Sequence, residues 1–160
     1  MQSAEIQDTV KKIKRGFSLQ MNGVASGSMR EKGINSYLNW GIQLPALRKI
    51  AEEYGKDYDL AIALWKENVR ECKILATLIM PAERMDGQML SLWMEQTQTQ
   101  EIAEYAAFNL YQYVADASIY GYLWIASDNT LVQICGYNLL ACLFKKGSQP
   151  SERDINEFID

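Results

Sequence analysis

The chain contains no histidine. That absence removes Ser-His-Asp and Cys-His catalysis, and with them the usual histidine-containing zinc sites. Cysteine is scarce: Cys72, Cys135 and Cys142 show no CxxC spacing, and an odd number in a chain of this kind argues against a disulfide framework. All three fall in apolar helical patterns, where a free thiol packs as a small hydrophobe. No apolar run approaches the roughly 18 to 20 residues that span a bilayer, and the opening MQSAEIQDTVKK lacks the apolar core of a signal peptide. The expectation is a cytoplasmic protein with no membrane contact.

What is present fits a folded chain. Apolar residues make up 48% and charged residues 22% of 160 residues, with only three prolines, which excludes a disordered composition. The length suits one domain with a sizeable core, so residues 1–160 read as a single domain. The net charge of −4 is unevenly spread. Residues 1–80 carry 12 Lys/Arg against 9 Asp/Glu, whereas residues 81–160 carry 4 against 11. A polyanion would favour the first half. Ordinary solvated helix faces are the other explanation of the same charges.

Helical spacing recurs along the chain. Ile6, Val10, Ile13 and Phe17 form one stripe between Ser3 and about Met21, with Lys11, Lys12, Lys14 and Arg15 on the other faces. Residues 22–43, with three glycines in NGVASGSMREKG alone, lack a sustained period, which predicts a long connection with one short turn near Ser36 to Asn39. Backbone amides around Gly27 and Ser28, followed by Arg30 and Lys32, are a weak phosphate signal there. Pro45 starts a helix that Gly55 stops. Asp57, Asp86, Thr99 and Asp128 read as caps of later helices, Pro81 ends the helix over Asn68 to Met80, and Ser118 and Ser151 open two more. No stretch alternates with a period of two between hairpin turns, so the fold class is all-α.

An internal repeat organises these helices. EYAAFNLY (Glu104 to Tyr111) and QICGYNLL (Gln133 to Leu140) match at an offset of 29, and ECKILATLI (Glu71 to Ile79) fits the same frame 33 residues earlier. Copies at about 30 residues predict stacked antiparallel helix pairs, an α-solenoid of the HEAT-like or armadillo-like kind. Ala106, Ala107, Cys135 and Gly136 are small enough to let helices approach closely, and the Met and aromatic residues along the stripes are expected in the core. The frame places Glu71, Glu104 and Gln133 at equivalent positions, predicted to line the concave surface or its margin.

From Trp40 to Met80 the pattern Gly41, Ile42, Pro45, Arg48, Lys49, Ile50, Ala51, then Leu64-Trp65, then Glu71, Leu75 and Ala76 resembles the DNA alkylation repair family of HEAT-like alkylpurine DNA glycosylases. The resemblance implies a curved solenoid whose concave face cradles duplex DNA and removes cationic N3- or N7-alkylated purines without metal or cofactor. Such members use a tryptophan and, four residues later, an aspartate on one inner helix, with an arginine on a later one. Here those positions fall on Gln100, Glu104 and Gln133.

Glu104 keeps a carboxylate for the sugar cation, one methylene longer than the family's. Gln100 loses an aromatic face worth about 0.5 to 2 kcal/mol. Gln133 can hydrogen-bond a phosphate without neutralising it. The implied function is DNA binding with excision weakened or lost, Glu104 acting as electrostatic stabiliser and Gln100 and Gln133 positioning DNA. Arg48, Lys49, Arg70 and Lys73 are the candidate phosphate contacts. A non-catalytic helical-repeat module that binds a protein or peptide stands as the alternative.

Overall fold

A computed structural model describes residues 4–19 and 38–145. Residues 22–37 of the connection expected over 22–43, with Gly27, Ser28, Arg30 and Lys32, lie outside these residues, as does the helix expected from Ser151. Every regular element described is helical, so the all-α, helical-repeat reading holds. No described helix is long and apolar enough to cross a membrane. The chain divides into two compact units, Met1–Pro81 and Ala82–Asp160.

In the first unit, α1 (Ala4–Leu19) buries Val10, Ile13 and Phe17, the stripe that its spacing dictates. α2 (Leu44–Tyr54) has proline in its first turn and ends at Gly55, whose φ of 65° lets its N–H bond Ala51 O at 2.9 Å. That conformation is accessible to glycine at no steric cost. α3 (Tyr58–Trp65) is capped by Asp57, whose Oδ1 accepts from Leu60 N at 3.1 Å, a contact of a kind that contributes about 1 kcal/mol. α4 (Arg70–Ile79) is the centre of this unit, packed by α2 and α3 and almost wholly buried. Its start is covered by the incoming chain. Leu38 N donates to Asn68 O at 3.0 Å and Arg70 N to Leu38 O at 2.8 Å, a single parallel bridge that lays residues 38–42 across the first turn of α4.

The second unit comprises a short turn at Ala82–Arg84, then α5 (Gly87–Gln96), α6 (Gln100–Asn109), a turn at Tyr111–Tyr113, α7 (Ala117–Ile125) and α8 (Thr130–Lys145). Asp86 Oδ1 caps α5 through Met89 N at 2.8 Å, and Thr99 Oγ1 caps α6 through Ile102 N at 3.2 Å. The last cap differs from expectation by one residue. Asn129 Oδ1, in place of the Asp128 carboxylate, accepts from Leu131 N at 2.9 Å and Val132 N at 3.2 Å. Either residue type suits a cap, and the helix starting at Thr130 puts Asn129 at that position.

α8 packs against both α6 and α7. The expected use of small residues is met at both contacts. Cys135 Sγ sits 3.7 Å from Ala103 O, and a Cβ on Gly136 would come within 2.9 Å of Gly121 O. At these crossings the backbones approach closely, and Ala106 and Ala107 are fully buried beside them.

Candidate functional site

On α6 the buried positions Ile102, Ala103, Ala106 and Ala107 define one side of the helix. The outward side is a stripe at intervals of four: Gln100, Glu104 and Phe108, all exposed. Gln100 Nε2 donates to Glu104 Oε1 at 2.9 Å, so two of the three residues identified from sequence meet directly. The third, Gln133, is half-buried on the neighbouring helix α8, two residues before the Cys135 contact with Ala103. The structure therefore places all three on adjacent helices of one unit, with Gln100 and Glu104 joined by a hydrogen bond.

Beside this stripe lies a concavity of about 430 Å³ between the end of α6 and the face of α8. Phe108 and Tyr113 supply its rings, with Gln112, Asn138, Cys142 and Lys145 around them. Gln112 Nε2 donates to Phe108 O, which ties the turn after α6 back onto its last helical turn. The aromatic residues expected in the core are divided here. Tyr111 and Trp93 are fully buried, whereas Phe108 is 52% and Tyr137 61% exposed. These two occupy the aromatic position of the 29-residue repeat, four residues after Glu104 and Gln133 respectively. Their spacing puts them on the carboxylate-and-amide stripe, away from the alanine side of α6, and that i, i+4 relation was the sequence signal for them.

Glu71 departs from the repeat frame. It is fully buried, with Oε1 accepting from Trp40 N at 3.0 Å and Oε2 from Ile42 N at 3.2 Å and Arg70 Nη1 at 2.7 Å. It does not line a surface, because residues 38–42 close over the start of α4. The same contacts correct the reading of Arg70 as a phosphate ligand. Its guanidinium is turned inward, donating also to Ile42 O at 3.0 Å, and the residue is only 9% exposed.

Lys73 is likewise committed within its unit. Its Nζ donates to Trp65 O at 2.8 Å and lies 4.8 Å from the Trp65 ring centroid, and burial lowers its pKa below the usual lysine value. Arg48 and Lys49 stand exposed on α2 as expected. Arg48 shares a hollow of about 280 Å³ with Lys56, Gly55 and Glu52, and Lys56 Nζ donates to Leu78 O at 2.9 Å. Lys56 was not singled out from sequence, since it follows the helix-stopping glycine and belongs to no periodic face. Further exposed cations, Lys11, Lys12 and Arg15, lie on α1.

Among the described residues no three Cys, Asp or Glu side chains gather as metal ligands. What the arrangement offers is a solvent-facing carboxylate with an amide partner, an aromatic-lined hollow next to it, and in the other unit a set of exposed cations.

No curated protein and no solved structure matches the chain in comparison. Its residues 14–159 match a family model described as DNA alkylation repair enzyme, a match that runs through both units and includes Gln100, Glu104 and Gln133. The chain belongs to the DNA alkylation repair enzyme family.

Proposed function

We propose that this protein binds duplex DNA and excises alkylated purines weakly or not at all. One observation carries the reading: Glu104, the carboxylate at the family's acidic position, stands on an exposed helix face with a neutral amide as its bonded neighbour. In a glycosylase reaction the N-glycosidic bond of a cationic alkylpurine breaks, the base leaves neutral, and the deoxyribose acquires positive charge that water then captures at C1′. A carboxylate beside that carbon lowers the barrier in proportion to its local field. Two unit charges 4 Å apart attract by about 1 kcal/mol in bulk water and about 4 kcal/mol at the effective dielectric near a protein surface. A solvated carboxylate works near the lower figure. Gln100 provides no aromatic face to exclude that water, and the side chain of Gln133 carries no charge to anchor a phosphate.

Family membership supports DNA as the ligand, and Arg48 and Lys49, with Lys56 beside them, are exposed cations open to phosphate. Arg70 and Lys73 leave that set because their charged groups are engaged inside the unit. The test is incubation with duplex containing 7-methylguanine beside an active family member. Abasic product above the protein-free rate, lost on Glu104→Gln, supports residual catalysis. No product at any protein concentration rejects it. For binding, the double variant Arg48→Ala, Lys49→Ala should reduce the slope of log affinity against log salt by about 2. An unchanged slope removes these residues from the interface.

A second reading, a non-catalytic module that binds a protein or peptide, is favoured by charge. Residues 82–145 carry seven carboxylates and only two cations, Arg84 and Lys145. Such a surface repels a polyanion and attracts basic partners.

A further inference from the structure

The hollow of about 430 Å³ beside the Glu104 stripe is lined by rings left half in water: Phe108 is 52% and Tyr113 58% exposed. Its other wall is one face of α8, where Asn138, Ala141, Cys142 and Lys145 succeed each other at helical spacing over the last two turns. Among the described lining residues Lys145 is the one charged group. The hollow therefore offers aromatic and small apolar surface with a cation at one end and no carboxylate.

The chain itself leads a complementary segment to this place. Lys145 ends α8 and also lines the hollow, so residues 146–160 continue from its rim. The connection KGSQP over 146–150 holds a glycine and a proline, the composition of a turn, and five residues are an ordinary length between paired helices. Extended chain from Lys145 to Ser151 reaches about 20 Å. The stretch of α8 from Lys145 back to Asn138 is only about 10 Å long. A helix that starts at Ser151 can thus reverse direction and lie along the hollow.

The sequence of 151–160 suits that position. Ser151 and Asp154 have the spacing of a capping box, and Ile155, Phe158 and Ile159 fall on one helical face. Glu152, Asp154, Glu157 and Asp160 outnumber Arg153, which complements the lysine at the rim. A tether this short holds the segment at an effective concentration in the millimolar range, which favours it over a separate partner of the same chemistry. The family match continues to residue 159, so nearly all of the segment lies within the matched chain.

We infer that residues 151–160 form an acidic amphipathic helix that seats in the α6/α8 hollow, with Ile155 and Phe158 against Phe108 and Tyr113 and its carboxylates near Lys145. Phe108 lies one helical turn from Glu104, so the seated helix limits what can approach that carboxylate. The inference is independent of whether Glu104 supports excision.

The test uses the full chain and its own thiols. Cys72 and Cys135 are buried, whereas Cys142 lines the hollow, so the rate at which an aromatic disulfide reagent labels Cys142 reports whether the hollow is covered. Labelling is followed by absorbance at constant pH and assigned by mass spectrometry of the modified peptide. Ile155→Ser with Phe158→Ser should raise the Cys142 rate at least tenfold over the parent. Arg153→Ser with Asn156→Ser, away from the apolar face, should leave it within about twofold. Cys135, on the same helix, stays unlabelled while α8 remains packed, which separates uncovering from unfolding; should the double variant unfold, Phe158→Ala alone serves. Equal rates in the parent and the Ile155, Phe158 variant overturn the inference. So does an equal gain from both pairs of substitutions, since no particular face of the segment would then be seated. Protection that disappears on dilution, with a dimer seen by sedimentation, would assign the hollow to the segment of a second copy and overturn it as well.

Discussion

Glu71 offers the sharpest test of how the first unit is held together. Its carboxylate takes three hydrogen bonds, from Arg70 Nη1 at 2.7 Å, Trp40 N at 3.0 Å and Ile42 N at 3.2 Å, in a position with no solvent exposure. Glu71→Ala removes both acceptor oxygens, and all three bonds with them, and leaves a buried guanidinium beside two stranded backbone amides. Each stranded buried group costs about 1 to 3 kcal/mol, and breaking a buried ion pair from one side costs about 3 to 5 kcal/mol. These figures overlap, because the Arg70 contact is counted in both, so the expected loss for Glu71→Ala is about 3 to 5 kcal/mol. Glu71→Gln keeps the shape and one acceptor oxygen but turns an NH2 toward donors, and should cost about half as much.

The assay is urea unfolding followed by circular dichroism at equal protein concentration. With m values of about 1 to 3 kcal/mol per molar urea, the alanine variant should lower the midpoint by about 2 M. A shift below about 0.5 M with m unchanged would refute the buried-anchor account. It would mean that Glu71 is solvated, as its repeat position had suggested. The pair Arg70→Ala and Glu71→Ala closes a double-mutant cycle, and a coupling near zero would equally refute direct pairing.

Tyr111 is fully buried and its hydroxyl has no hydrogen-bond partner among the described residues, so Tyr111→Phe should leave stability unchanged or raise it, read as thermal midpoint; a loss above about 1 kcal/mol would reveal a hidden partner. Gly136→Ala should cost about 1 to 3 kcal/mol, because its Cβ meets the backbone of Gly121 and Ile125 at 2.9 Å, whereas Gly16→Ala, with open space around it in α1, should gain about 0.5 to 1 kcal/mol; equal effects in chemical unfolding would contradict the close crossing. Burial pushes the Cys135 thiol up to about 12 from 9.0, with Cys142 adding to the effect. A raised folded pKa means that this thiol's contribution is complete below about pH 9 and is lost as pH climbs toward about 12, so the alkaline fall in midpoint should be shallower in Cys135→Ala, and an identical pH profile would count against it.

The parts of this fold that were legible in the sequence are the local ones. Asp57, Asp86 and Thr99 cap their helices through amides three residues ahead, so the information lies within one turn. The small residues at the α6, α7 and α8 contacts were legible for a related reason: helix faces bearing Ala106 and Ala107, or Cys135 and Gly136, suit close packing. Glu71 failed because its environment is made by residues some 30 positions earlier in the chain. Nothing in ECKILATLI distinguishes a carboxylate open to water from one covered by Trp40 and Ile42. Arg70 failed with it, since a cation next to a glutamate on a helix reads as surface charge until the covering segment, residues 38–42, is seen. Phe108 and Tyr137 were present in the repeat as an aromatic position, but hydrophobicity alone assigned them to the core. Their spacing of four from Glu104 and Gln133 carried the opposite information.

On the proposed reading scaffold and chemistry come apart in this chain, and that spacing bears on the reason. The inward sides of α6 and α8 carry small residues, because any larger side chain would push the helices apart. The outward stripe is under no such constraint. Gln100 and Glu104 form an i, i+4 pair of a kind worth about 0.2 to 0.5 kcal/mol on a helix surface, no more than thermal energy. A contact that weak does not hold a carboxylate within the roughly 0.5 Å that a working site requires. On the proposed reading, a glutamine in place of an aromatic and a longer acid cost the fold nothing, while they remove both the water-excluding face and the fixed position on which excision depends. Selection for stability alone would preserve every buried contact described here and leave Gln100, Glu104 and Phe108 free to serve a different ligand.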